Sequence, residues 1–451
     1  MHLNYLMQII AQLFITLLNN IIEDYMILNR KTQPLFQQIN SIKLIEPEKI
    51  YLDNSIPLYA INAGTQDVLK IDISFDAGVW YQSKPLIAST VNEMLSEGTK
   101  NLTSKDIAEK LDYYGAFIQP EPSKDNATIS LYTLTKYLPE TIAVFAEIIK
   151  NPTFPEHELK TFIGKKKQAF QVEMEKVSNL ARRQFNRQLF GCAHPYGESP
   201  EIEDYDAVLR SDLIQFHKQY YHPENCKIIL AGKVDNDVIK LVNSYFGSKD
   251  WSSIKKTEAK RIELVKPEST IEFIKKEDAT QSAIRIGKLT INKTHSDFPK
   301  LEVVNTILGG YFGSRLMKVI REEKGYTYGI GSYLVSLKNA GFFVISTEVG
   351  TDVTKPATQD ILKEIKRLRE GLVTDDELKI AKNFMLGDMM RAFDGPFEQA
   401  QSYKSIIELG IENDFFDRTL EAIKSITPQE IHQLVNDYFN ENDMVQTIAG
   451  N

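Results

Sequence analysis

The chain of 451 residues repeats itself at a nearly fixed distance, and that repeat constrains the fold more than any single motif. Leu213-Ile-Gln-Phe-His-Lys-Gln-Tyr-Tyr221, followed by Ile228-Ile-Leu-Ala-Gly-Lys233, is echoed by Ile431-His-Gln-Leu-Val-Asn-Asp-Tyr-Phe439 and Gln446-Thr-Ile-Ala-Gly-Asn451. Aligning Ala231-Gly232 with Ala449-Gly450 gives a shift of 218 residues, and Phe154-Pro-Glu-His-Glu158-Leu159 matches Val373-Thr-Asp-Asp-Glu377-Leu378 at 219. Length alone allows two to three domains, and two independent echoes at one offset select two. The expected division is an extension over 1–41, a first domain over 42–247, a polar and charged linker over 248–270, and a second domain over 271–451.

Each copy reads in the same order. In the first, alternation predicts a strand over Lys70–Phe75, helices over Leu86–Ser96 and Ser104–Tyr114 with Gly115 as the stop, and strands over Ala116–Glu121 and Ala127–Thr135. Helices over Pro139–Lys150, Pro155–Phe190 and Ser211–Tyr221 precede the last strand. The second copy runs from a strand over Ser282–Leu289 through helices over Phe298–Leu308 and Ser314–Lys324. Strands near Tyr326–Val335 and Gly341–Val349 then lead into helices over Lys355–Glu370 and Asp375–Phe393. Clustered strands and helices of this kind predict α+β layers with largely antiparallel sheets.

The densest chemistry lies in Leu308-Gly-Gly-Tyr-Phe-Gly-Ser-Arg-Leu-Met-Lys-Val-Ile-Arg321-Glu-Glu-Lys-Gly325-Tyr-Thr-Tyr328. Ser314 is placed to cap a helix, and Gly325 offers the left-handed residue that ends it. Tyr326, Tyr328, Ile330 and Ser332 would share one face of the next strand, so Arg321 and Tyr328 could converge. Here the chain resembles the pitrilysin/insulinase family of zinc metallopeptidases, whose second domains carry a Ser-Arg-Leu helix and an Arg seven residues before a Tyr. The resemblance covers about Ile42–Asn451. It implies two homologous α+β domains forming one half of a clamshell, with Arg321 and Tyr328 binding and polarising the scissile carbonyl across a chamber from zinc. A guanidinium and a phenol suit that task, since both donate hydrogen bonds to an oxygen gaining negative charge.

The same resemblance predicts a zinc motif in the first domain, and there the chain departs from it. Active members carry His-x-x-Glu-His before a Gly-Thr-Lys-like turn. The matching stretch is Ser89-Thr-Val-Asn92-Glu93-Met-Leu-Ser-Glu-Gly98-Thr99-Lys100. Ser89 and Glu93 stand in the histidine places and Asn92 in that of the general base. An amide takes no proton from water, and a hydroxyl is a poor zinc ligand beside imidazole. The remaining glutamate ligand would lie near Lys165–Lys176, where Glu173 and Glu175 are the candidates. Cys192, His194, His217 and His222 come closest to another metal set, but lack a ligand spacing. His2, His157, His295 and His432 sit in polar or turn contexts. No nucleotide loop or nucleophile elbow occurs.

The formal net charge of −8 argues against nucleic acid, and Lys165-Lys166-Lys167 reads as a solvated helix face. Cys192 and Cys226 define no disulfide framework; a reducing compartment and a single bridge both fit. Leu6–Leu18 is apolar, but no Lys or Arg precedes Arg30, and Gln8, Gln12, Asn19 and Asn20 spoil a membrane span. The extension then reads as amphipathic or disordered, or as residue from an upstream start with Met26 as the natural one. A cytoplasmic location follows, with the periplasm open.

What the resemblance implies is therefore a non-catalytic, substrate-binding subunit of a heterodimeric zinc peptidase. It would bind no cofactor itself, and it would lend Arg321 and Tyr328 to a zinc-bearing partner subunit acting on peptides. An inactive scaffold or peptide-binding protein is the alternative, with a homodimer also open. A self-sufficient metallopeptidase would need zinc held by Glu93 and Glu173.

Overall fold

The structure, a computed structural model, describes residues 44–249 and 270–451 with a few isolated positions outside them. The expectations for the first 25 residues, Met26 included, and for most of 248–270 lie outside the described residues.

The first half contains β1 (Glu48–Tyr51), β2 (Pro57–Asn62), β3 (Val68–Phe75), α1 (Ile87–Glu93), α2 (Ser104–Tyr113), β4 (Phe117–Pro122) and β5 (Ala127–Leu134). It continues through α3 (Leu138–Lys150), α4 (Glu156–Met174), α5 (Val177–Phe190), α6 (Arg210–Tyr220), β6 (Cys226–Gly232) and α7 (Asn236–Phe246). The second half contains β7 (Ile271–Lys275), β8 (Gln281–Thr290), α8 (Phe298–Asn305), β9 (Ile330–Ser336) and β10 (Gly341–Gly350). Then come α9 (Thr354–Glu370), α10 (Asp375–Ala392), α11 (Pro396–Ile407), α12 (Phe415–Ser425), α13 (Pro428–Tyr438) and β11 (Val445–Gly450).

The strands form two sheets in the orders β1-β2-β6-β3-β5-β4 and β7-β11-β8-β10-β9. Apart from β1, these are one topology written twice. The β2–β6 and β7–β11 pairs are parallel and every other pair is antiparallel. The α+β class and the largely antiparallel sheets read from the sequence are thus present.

In β3, Leu69, Ile71, Ile73 and Phe75 are buried against a layer that includes Val91, Phe145, Ile149 and Phe246. Each such side chain removed from water contributes about 1.5–3 kcal/mol. The other β3 face carries Lys70, Asp72 and Ser74, and it is buried as well. Its cover comes from the second half of the chain, where Glu408, just past the end of α11, accepts from Ser74 at 2.7 Å and from Thr128 at 3.2 Å. Lys227 donates to the Ile407 carbonyl at 3.0 Å, and Lys404 pairs with Glu121.

The exchange is reciprocal. The sequence predicts one helix over Pro155–Phe190, but the chain leaves helical geometry at Lys176 (ψ 125°), and the Asn179 side-chain Nδ2 donates to the Glu173 carbonyl at 3.0 Å. The break redirects α5 onto the second sheet. Val177, Ala181, Phe185 and Leu189, four residues apart, form its apolar stripe. Val177 and Ala181 pack with Ala283 and Ala449, and Phe185 and Leu189 with Val344 and Val445. Gly287 is required there, since a Cβ would lie 2.0 Å from the Phe343 carbonyl oxygen of β10 and 2.9 Å from the Phe185 ring. The helices α5 and α11 occupy corresponding places in the repeat, so each half lends one helix to the other's sheet.

Candidate functional site

Ser89 and Glu93, two of the residues that the resemblance puts in the metal place, line a cavity of ≈ 250 Å³ between α1 and α4. From α1 come Ser89, Thr90 and Glu93; from α4 come Phe162, Ile163, Lys166, Ala169, Phe170 and Glu173, one helical face; Tyr205 and Leu86 close the wall. Ser89 does not face it as a ligand, because its hydroxyl donates to the Leu86 carbonyl at 3.1 Å. Asn92 is 1% exposed and turned into the core, donating to the Thr128 carbonyl at 3.1 Å. Glu93 is engaged by the Lys166 ammonium, which also lies 5.2 Å from the Phe162 ring centroid. Of the two glutamates expected on α4, Glu173 borders the cavity, whereas Glu175 pairs with Lys276 at 2.7 Å. One hydroxyl, one inward amide and one lysine-paired carboxylate do not fit zinc.

Lys166 is the residue that sequence reasoning missed, having been read as part of a solvated basic run. Its helical spacing from Phe162 and Glu173 placed it on the same face as the expected ligand. That spacing was the usable signal.

The histidines do not gather elsewhere. His194 is buried among Trp80, Phe190 and Tyr196, and its Nδ1 accepts from the Tyr196 amide at 3.1 Å. His217 bonds the Ile149 carbonyl at 2.8 Å, and burial pulls its pKa down to about 4. Cys192 is exposed and Cys226 buried, both free thiols. Among the described residues no three His, Cys, Asp or Glu side chains are grouped to hold a metal.

In the second half, the segment expected as an α-helix over Ser314–Lys324 is mostly wound as a π-helix, over Met317–Glu323. Ser314 does not cap it, because that side chain is buried and its Oγ makes no hydrogen bond among the described residues. The stop at Gly325 has φ +65°. The Tyr326 amide reaches back to the Ile320 carbonyl at 3.0 Å, and Lys324 to Val319 at 3.0 Å, the wide closure of a π turn. The strand expected from Tyr326 begins only at Ile330, so Tyr328 stands on the connecting loop. Thr327 explains the delay, since its hydroxyl bonds the Glu348 carbonyl at 2.7 Å and receives the Gly329 amide at 3.1 Å, holding this loop out of the ladder.

The wider turn brings Arg321 and Tyr328 together. The Arg321 guanidinium carbon lies 5.2 Å from the Tyr328 ring centroid and 4.7 Å from that of Phe312. Phe312 is 62% and Tyr328 92% exposed, and among the described residues neither Arg321 nor Tyr328 makes a side-chain hydrogen bond. The guanidinium thus sits within cation–π reach of two aromatic rings. Behind it, Arg315 forms a bidentate pair with Glu377 at 2.7 and 2.9 Å, fixing the start of this helix to α10.

The two repeated α+β halves place the chain in the class of metallopeptidase homologues, and among its described residues no metal set is grouped. The chain belongs to the M16 (insulinase/pitrilysin) family: residues 60–194 match the family described as insulinase (peptidase family M16), and residues 208–385 match the peptidase M16 inactive domain. A Bacillus subtilis (strain 168) protein described as an uncharacterized zinc protease, YmxG, is 23% identical over 80% of this chain and 88% of its own. A Helicobacter pylori (strain 26695) protein described as a non-peptidase homolog, also YmxG, is 24% identical over 81% of this chain and 84% of its own. In fold, the chain is similar to a Pseudomonas fluorescens peptidase M16 inactive domain, with a TM-score of 0.82 at 21% identity, covering 90% of this chain and 98% of that one. A protease structure from Helicobacter pylori is similar too, with a TM-score of 0.84 at 16% identity over 91% and 100%. No helix among the described residues is long and apolar enough to cross a membrane.

Proposed function

We propose that this chain is the non-catalytic, substrate-binding subunit of a two-chain zinc peptidase acting on peptides. Its Arg321 and Tyr328 would complete the site of a partner that carries His-x-x-Glu-His. The observation that carries this reading is an asymmetry. Glu93, the candidate ligand on α1, is paired with Lys166, while Arg321 is oriented by two rings and left without a hydrogen-bond partner among the described residues. Donors oriented before a carbonyl arrives suit its polarisation, because less reorganisation is then required as charge develops. The domain division at 248–270 belongs to the same proposal, placing the degenerate cavity in one domain and the Arg–Tyr pair in the other.

The test is cleavage of a quenched fluorescent peptide library by this chain alone, by a His-x-x-Glu-His homologue from the same genome alone, and by their mixture. Activity confined to the mixture is expected, and Arg321→Ala or Tyr328→Phe should lower the mixture's kcat by about 100-fold. A mixture no more active than the homologue alone would favour the scaffold role, and an unaffected rate in both variants would remove the carbonyl-binding role.

A further inference from the structure

The cavity between α1 and α4 is filled electrostatically from within. In the place where the family resemblance puts a divalent cation, Glu93 of α1 meets the ammonium of Lys166 on α4. The pair ties the same two helices that a metal would tie. Lys166 is 41% exposed at its side chain, so its charge is both paired and presented to the cavity. An ammonium carries three N–H donors, and Glu93 can use only part of that set.

We propose that Lys166 is a built-in substitute for the metal, and that it makes the cavity a metal-independent site for a peptide carbonyl. The surroundings decide the ligand class. Glu93 and Glu173 together outweigh the one lysine, which disfavours a carboxylate or phosphate guest. Phe162, Phe170 and Tyr205 give an apolar wall against which an extended peptide can lie, and a volume of ≈ 250 Å³ admits a peptide group and a neighbouring side chain. A neutral carbonyl oxygen is the acceptor that fits. Asn92, in the place that the resemblance gives to the general base, is turned into the core and bonded to Thr128, so it takes no part at this carbonyl. This inference does not depend on a partner subunit, and it can fail while the Arg321–Tyr328 reading stands.

The experiment uses the full chain alone. Zinc is measured in the purified protein by mass spectrometry, thermal stability is compared with and without EDTA, and binding of an uncharged, fluorescein-labelled random-sequence peptide pool is followed by anisotropy. Substoichiometric zinc and a melting temperature unmoved by EDTA are expected. Lys166→Met should weaken the pool's binding about tenfold, the worth of one charge-assisted hydrogen bond, while Lys166→Arg stays within about threefold of the native chain. Glu93→Gln releases the ammonium and should bind the pool as tightly or more so, an arm that decides the matter if Lys166→Met fails to fold. Stoichiometric zinc in the native chain, unchanged binding by a folded Lys166→Met, or weakened binding by Glu93→Gln would each overturn the proposal.

Discussion

At the scale of single residues, orientation is supplied by weak contacts acting on strong groups. Two exposed cation–π contacts to Arg321 are worth about 0.5–1 kcal/mol each. Removing one ring should therefore cost much less than removing the guanidinium. Phe312→Leu is expected to reduce the mixture's kcat by about 3–5-fold, where Arg321→Ala reduces it by about 100-fold, checked in the same peptide assay. His217 offers a second residue-scale test. Its folded pKa of about 4 lies below the ordinary imidazole value of 6.5, so the folded state holds it neutral while the unfolded chain takes up a proton. Its contribution is present above pH 6.5, declines as pH falls toward 4 and is lost below that, amounting to ~3 kcal/mol. Urea unfolding of His217→Gln should show a stability–pH curve flatter than the native one within that window; parallel curves would refute the assignment. The Arg321–Tyr328 pairing was legible because seven residues across a helix stop bring two side chains near each other. The π winding and the loop position of Tyr328 were not legible, since they depend on Thr327 reaching Glu348 on another strand.

Among the elements, α5 and α11 carry the information that sequence alone withheld. The break at Lys176 contains no Pro or Gly, and local propensity favours continuing α4 through it. It occurs because the stripe Val177–Ala181–Phe185–Leu189 finds its apolar surface on the second sheet, a partner invisible at helix range. Phe185 is fully buried at the centre of that contact, and Phe185→Ala is expected to cost about 3–5 kcal/mol, seen as a lowered urea midpoint with the slope unchanged. Gly287→Val should act at the same place, driving its side chain into the Phe343 carbonyl of β10 as well as the Phe185 ring. The strand alternation of β3 was read correctly as Lys70–Phe75. Nothing in the alternation, however, announces that its polar face is closed by a helix more than three hundred residues later.

For the whole molecule, the two sheets are held together by more than the exchanged helices. The turn joining β9 to β10 enters the first half, where the Lys338 amide donates to Asp125 at 2.9 Å and its ammonium to Asp76 at 2.8 Å. Tyr196 donates to the other Asp125 oxygen and accepts from the Asn339 amide at 3.2 Å. Burial raises the Asp125 pKa, so this carboxylate is costly in the folded state unless its donors remain. Lys338→Ala leaves Asp76 and Asp125 as neighbouring carboxylates and should destabilise the chain by about 3 kcal/mol, with calorimetry still showing one transition. Two separated transitions would show that the halves melt independently. The repeat at 218–219 made the paired topology readable from the sequence. The contacts that join the copies arise between residues with no common pattern, such as Lys338 with Asp76, and only the folded chain displays them.

The reciprocal helix exchange also orders events during synthesis. A ribosome delivers β1 to β6 complete, yet the strand face bearing Lys70 and Asp72 waits in water until residues 396–408 emerge, more than three hundred residues after β3 has been made. Until β10 and then β11 have been translated, α5 presents Phe185 and Leu189 to the surroundings. The first half of the nascent chain is thus an unfinished body with an uncovered charged face and an uncovered apolar helix, and its maturation waits on β10, α11 and β11.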